Sequence, residues 1–189
     1  MLKCSMSKIV FTFGRMNPPT KGHERLVSTV VETAKQIGGD HIVFLSQTHN
    51  DSTDPLDWKF KTRICEAAFP GVKISKNSHI RTPFQALEEF KGLYEEVTLV
   101  VGGDQVNEFA QRMAPYAMQW GFRGFDVVSA GQRIDESEGI EGLSASKLRA
   151  YAVDGNKEAF FNGLPSSLKE GAKALVYEKV RKGIKKARK

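Results

Sequence analysis

The chemistry of this chain is concentrated in one stretch, Gly14-Arg15-Met16-Asn17-Pro18-Pro19-Thr20-Lys21-Gly22-His23, which follows the apolar run Ile9 to Phe13. A strand that enters a Gly/Pro-rich turn and then opens a helix makes an anion site. Free backbone N–H groups and the positive end of the helix dipole both point out of the turn. Gly14 lets the backbone bend and lets a phosphate approach without a Cβ in the way. Phe13 brings the chain to that point, Arg15 adds a cation, and Gly22 keeps the first helical turn bare. His23 falls in that turn, beside the positive end of the dipole, and is expected as a neutral imidazole donating one N–H to a phosphate oxygen. Thr20 offers a hydroxyl, either to the same anion or as the helix N-cap. The spacing G-x-x-x-x-G-K-[ST] is absent, so this is not a phosphate loop of that kind.

Three further groups carry chemistry. The polar run Ser46-Gln47-Thr48-His49 to Pro55 follows an apolar strand pattern, and Lys59, Lys61 and Arg63 come just after it. At steps of two, these three cations cannot share one helix face, so at most two can point at a ligand. Gly102-Gly103-Asp104 follows the most apolar run, Val97 to Val101; the glycines admit a base or ribose and Asp104 accepts from hydroxyl or N–H groups. A strand-to-helix turn with Asp as N-cap reads the same residues equally well. Finally, Ser144-Ala145-Ser146-Lys147-Leu148-Arg149 places hydroxyls at a helix start and a guanidinium fork one turn on. Trp58 and Trp120 offer flat surfaces for a base, although an aromatic on an amphipathic helix usually serves the core. His49 is either a substrate contact or a solvated loop residue.

The elements that must position these groups alternate. Short apolar runs at 8–13, 41–45, 72–75, 97–101 and 125–128 are expected as strands. Between them, helical spacing is expected over 21–36, 56–69, 82–93 and from 104 to 118. This is the pattern of βαβ units, hence an α/β class with a Rossmann-like sheet of about five parallel strands flanked by helices. In such a sheet the loops after the strands gather at one edge, where ligands bind. The Gly-rich segment from 130 to 142 is expected as a mobile loop. Short helices are expected over 144–153 and 156–161, and a basic helix from 165 to 187. Residues 1–154 are accordingly expected as the α/β domain and 155–189 as a basic helical C-terminal arm.

With 189 residues the chain suffices for one such domain with a sizeable core. No apolar run reaches the length of a membrane span, and Met1 to Ser5 lacks a secretory h-region, so the cytoplasm is the expected compartment. Cys4 and Cys65 have no C-x-x-C pairing and are expected as thiols rather than a disulfide or metal site. The net charge of +6 suits an anionic substrate, but much of it lies beyond Lys179. A solvated helix end is favoured there over a nucleic-acid contact, because no aromatic-interleaved basic strand accompanies it. No His/Cys/Asp cluster has metal-ligand spacing. Association of the chain with itself is left open.

The Thr-x-Gly-His arrangement of Thr20 to His23, after a Phe-Gly-Arg-x-x-Pro turn, resembles the [His/Thr]-x-Gly-His motif of the nucleotidylyltransferase superfamily. The Ser46–Pro55 loop resembles the Ser-x-Gln…His…Asn-Pro-Phe stretch of nicotinamide mononucleotide adenylyltransferases, with Asp54 and Leu56 in place of Asn and Phe. Leu143 to Arg149 resembles Ile-Ser-Ser-Thr-x-x-Arg, with Ala145 and Ser146 for the second Ser and the Thr. The resemblance implies transfer of a nucleoside monophosphate from ATP to a phosphorylated acceptor, with Mg²⁺ arriving on the triphosphate. It implies catalytic roles for Thr20, His23, Lys61 and Arg149. Phe13, Gly14, Arg15, Gly22, Gly102, Gly103, Asp104, Ser144 and Ser146 would bind the nucleotide; Ser46, Gln47, His49 and Trp58 would bind the acceptor. Nicotinamide mononucleotide leads among acceptors, followed by phosphopantetheine and by CTP-dependent chemistry. A non-catalytic nucleotide- or nucleic-acid-binding protein, or a structural protein, on the same fold is the rival from another class.

Overall fold

A computed structural model describes residues 7–131 and 144–187. Its elements run β1 (Lys8–Gly14), α1 (Lys21–Ile37), β2 (Asp40–Leu45), α2 (Trp58–Ala68), α3 (Pro83–Glu89), β3 (Glu96–Val101) and a 3-10 turn (Gly103–Gln105). They continue with α4 (Val106–Gln119), β4 (Gly124–Ser129), α5 (Ala145–Asp154), α6 (Lys157–Gly163) and α7 (Glu170–Ala187). The strands form one parallel sheet in the order β2-β1-β3-β4. The run 72–75, expected as a strand, contributes only a bridge, Val43↔Ile74, so the sheet has four strands rather than five. Ser75 N donates to Val43 O and Val43 N to Lys73 O, and no longer ladder follows from this short segment. The segment expected as a mobile loop, 130–142, falls from 132 onward outside the described residues, as does Cys4.

Alternation along the strands divides the core. Ile9, Phe11, Ile42, Phe44, Val97, Leu99 and Val101 face Leu87, Phe90, Met113 and Ala117 of the α3–α4 side. On the opposite face, Val10 and Val100 meet Val30 and Ala34 of α1. Further out on that face, Val43 and Leu45 join Ile64 and Cys65 of α2, Leu148 of α5, and Val176, Tyr177 and Val180 of α7. The C-terminal helix thus places its apolar stripe in the same cluster as β2. Cys65 is fully buried there and its thiol is pushed up to about 12 by burial, which leaves it inert.

Helices α1 and α4 therefore leave β1 and β3 on opposite faces, which makes the gap between these strands a topological switch point. β1 pairs with β2 from Ile9↔Asp40 to Gly14↔Leu45, but with β3 only from Lys8↔Glu96 to Phe11↔Leu99. Beyond Phe11 the two strands part, and the buried Thr12 hydroxyl donates to Val100 O at 2.8 Å across the gap. The loops after β1 and β3 flank the crevice so formed.

Candidate functional site

The β1–α1 turn is fixed by its own residues. Asn17-Pro18 is a cis peptide, and Thr20 is the N-cap of α1 in a complete capping box. Its hydroxyl accepts from His23 N at 3.3 Å, while Thr20 N donates to His23 Nδ1 at 3.0 Å. The Thr20 hydroxyl also lies 3.0 Å from Nδ1. Of the two roles open to Thr20, the structure gives it the cap. A backbone N–H can donate only to an unprotonated ring nitrogen, so the neutral His23 ring carries its proton on Nε2. Such a ring is a donor at Nε2.

The late helix start reaches this turn. Ser144 is the N-cap of α5 and accepts from Lys147 N. Arg149, half-buried, donates through Nη1 to Asn17 O at 2.7 Å and through Nη2 to Ser146 Oγ at 3.0 Å. Residues 17 and 149 thus meet directly, and the early turn and the late Ser/Arg group occupy the same edge. Asn17 holds the junction from the other side as well: its side chain donates to Leu56 O and accepts from Leu56 N, both at 3.0 Å. This clamp was missed in the sequence, where an Asn before Pro18 reads only as turn chemistry.

Lys61 is placed differently from the phosphate contact expected of it. The side chain is fully buried, and Nζ donates to Ser46 O at 2.6 Å, Arg15 O at 3.0 Å and Ser46 Oγ at 3.4 Å. All three ammonium protons have protein acceptors, so a phosphate contact would break this set. Instead the ammonium ties the end of β1 to the end of β2. Burial lowers its pKa from 10.5 to about 8; Asp54 opposes the shift and Arg15 adds to it. Arg149 is likewise lowered by burial and by the Arg15 charge, with Asp54 opposing. Arg15, Lys61 and Arg149 therefore share one electrostatic neighbourhood, with the buried Asp54 carboxylate as the nearby countercharge. In the sequence Asp54 stands out only as a replacement for Asn beside Pro55; its burial next to these cations is legible only in the structure.

The remaining candidates divide between this edge and its supports. Gly102 follows β3, and a Cβ there would stand 2.9 Å from Asp104 Oδ1, so the glycine makes room for that carboxylate to fold back. Gly103 N donates to Gly131 O, joining the loops after β3 and β4. Gly14 and Gly22 sit on the turn, and exposed Arg15 projects from it; Phe13 is half-buried against the aromatic side of the core. Ser46 is buried and bonds Thr48, while Gln47 donates to Ser78 O and Ile80 O. His49 is exposed. Trp58 opens α2 and packs against the core, whereas Trp120 lies at the opposite edge of the sheet. A concavity of about 370 Å³ at that opposite edge is lined by Tyr94, Trp120, Phe122 and others. It faces the strand starts, where no strand-to-helix turn presents its N–H groups.

Among the described residues no three His, Cys, Asp or Glu side chains group as a metal cage. The donors at the edge are cations, hydroxyls and an imidazole, which suit phosphate oxygens rather than a divalent ion. No helix among the described residues is long and apolar enough to cross a membrane.

The backbone can be compared with solved structures. A candidate nicotinate-nucleotide adenylyltransferase from Vibrio parahaemolyticus superposes with a TM-score of 0.58, covering 90% of this chain and 99% of that one at 16% identity. The two chains share one fold over nearly their whole lengths. A second structure with the same fold is a bifunctional NMN adenylyltransferase/ADP ribose pyrophosphatase from Francisella tularensis, complexed with AMP and an Mn ion. It gives a TM-score of 0.57 at 15% identity, over 94% of this chain and 52% of that one, so this chain spans about half its length. The sequence matches no family model and no curated protein.

Proposed function

We propose that this chain is a nucleotidylyltransferase that moves the adenylyl group of ATP to a phosphorylated acceptor, nicotinamide mononucleotide first among them. The observation that carries the reading is the bond from Arg149 Nη1 to Asn17 O, which puts the Ser/Arg helix start on the turn that bears His23. An acceptor phosphate oxygen attacks the α-phosphorus in line, a new P–O bond forms, and the bond to the leaving pyrophosphate breaks. The substrate supplies its own nucleophile, so the protein contributes placement and neutralisation of charge on the phosphoryl oxygens. His23, held by Thr20 with its proton on Nε2, donates to the α-phosphate. Arg149, Ser146, Ser144 and Arg15 meet the β and γ oxygens, and Lys61 positions the turn from beneath. Phe13, Gly14, Gly22 and the Gly102–Asp104 turn line the crevice for the nucleotide, while Ser46, Gln47, His49 and Trp58 frame the acceptor side. A divalent ion arriving on the triphosphate would neutralise charge on its oxygens; among the described residues no three His, Cys, Asp or Glu side chains group to hold one.

The test is pyrophosphate release, followed by mass spectrometry of the product. ATP and CTP are each mixed with nicotinamide mononucleotide, nicotinate mononucleotide, phosphopantetheine and glycerol phosphate. A dinucleotide formed from ATP and a pyridine mononucleotide is expected; release with no pair overturns the reading.

A further inference from the structure

The reaction leaves the basic helix α7 without a task. Its residues Lys179, Gly183 and Lys186 recur at steps of four and three and so share one face. All three meet the loop between β2 and α2. Lys179 Nζ donates to Asp57 Oδ2 at 2.6 Å and stands 4.3 Å over the Phe60 ring. Lys186 Nζ pairs with Asp51 Oδ2 at 3.0 Å. At Gly183 an added Cβ would lie 2.8 Å from Pro55 Cβ and 3.5 Å from Pro55 Cα.

These contacts are unequal. The Lys186 side chain is 76% exposed, so its pair contributes little by itself. Lys179 is better placed. Burial alone would raise the Asp57 pKa, but hydrogen bonds from Lys179 and Phe60 N and the charges of Lys179 and His49 outweigh it and hold the carboxylate low. Gly183 decides the geometry, because a proline ring carried on the loop backbone has no flexible end that could swing aside. The loop is also internally stiff. Asn50 Oδ1 accepts from the backbone N–H groups of Ser52 and Thr53 and from both hydroxyls, and Asn50 and Asp54 exchange backbone hydrogen bonds. Pressure at Pro55 is therefore passed along the loop rather than absorbed.

We propose that α7 is a brace for the 46–57 loop, with Gly183 as the positioning residue that sets acceptor affinity; the word acceptor rests on the transferase reading above. The Ser46, Gln47 and His49 side chains stand on one limb of this loop and the α7 contacts on the other. A shift at Pro55 moves the acceptor side directly and reaches the His23 turn only through the two bonds between Leu56 and the Asn17 side chain.

The experiment uses Gly183→Ala in the full chain. The gain in helix propensity offsets part of the crowding at Pro55, and a urea melt taken alongside establishes that the variant is folded. With ATP and nicotinamide mononucleotide, the KM for the mononucleotide is expected to rise roughly tenfold, with smaller changes in the KM for ATP and in the saturated kcat. Peptides covering 46–57 are expected to lose amide-exchange protection. As a second arm, Lys179→Met, which removes the contact with Asp57, is expected to loosen the same peptides; unchanged protection there also counts against the brace. Equal rises in both KM values, or unchanged protection of 46–57 in Gly183→Ala, overturn the brace. If the parent protein releases no pyrophosphate with any acceptor, the transferase reading falls. The exchange data then judge the brace alone, by the same criterion.

Discussion

On one face of the sheet Phe11, Phe44 and Phe90 meet ring to ring, with centroids 6.1, 5.3 and 5.9 Å apart, among apolar neighbours from α3 and α4. On the other face Asn17, Asp54 and Lys61 are buried, each with polar partners, close to the edge where the strands end. An apolar face needs only volume and rotamers to be right. A face with buried polar groups needs every donor placed, because an unmet group there costs its full desolvation. The first arrangement holds the fold; the second spends burial on fixing the geometry of one edge.

Substitutions on the two faces should therefore separate stability from turnover. The largest effect expected is Phe11→Ala, at about 3–5 kcal/mol of stability. Urea denaturation measures it, and turnover per folded molecule should stay within a few-fold of the parent. A large loss of turnover in molecules shown to be folded would break the distinction. His23→Ala should do the reverse, losing about 10²–10³ in kcat with a melting temperature close to the parent's. A parent-like rate would remove His23 from the reaction.

Lys61→Met should fall between them. The carbonyls of Arg15 and Ser46 lose their shared donor, so stability drops by about 1–3 kcal/mol and kcat/KM drops with it; chemical denaturation and steady-state kinetics report the two. The pH dependence sharpens this further. Between pH 8 and 10.5 the unfolded chain keeps the Lys61 proton and the folded chain releases it, so this group's contribution to stability rises with pH across that window. Activity should move the opposite way, with an alkaline limb near pH 8 as the third donor is lost. Lys61→Arg should shift that limb upward, measured as kcat/KM against pH. The smallest effect is Thr20→Ala, about 1 kcal/mol from the lost cap, read from thermal melting.

The apolar face was legible from the sequence because alternation at Ile9, Phe11 and Phe13, and again at Val97, Leu99 and Val101, states which side chains point together. Helix α1 was legible to within a residue, since Thr20 caps it and Gly38, at φ 66°, closes it. Ser144 and Arg149 could be linked to the turn through a motif, and the bond to Asn17 O puts them there. The polar face was less legible. A lysine between Phe60 and Thr62 reads as a solvated or ligand-facing cation, and nothing local says that three oxygens from two other loops converge on it. Asn17 is similar: both of its side-chain partners are on Leu56, 39 positions away. The bridge at Val43↔Ile74 was read as a strand because apolar residues at 72 and 74 alternate; pairing length is set by the partner, which the pattern does not contain.

Arg149 is 132 positions from Asn17, and Ser166, which donates to the Glu24 carboxylate from N and Oγ, is 142 positions from its partner. All four strands among the described residues precede residue 130, whereas the edge is completed by side chains beyond residue 143. Contacts this far apart in sequence form only after a large loop has closed, which slows them relative to local pairing, so the sheet is expected to take shape ahead of its edge.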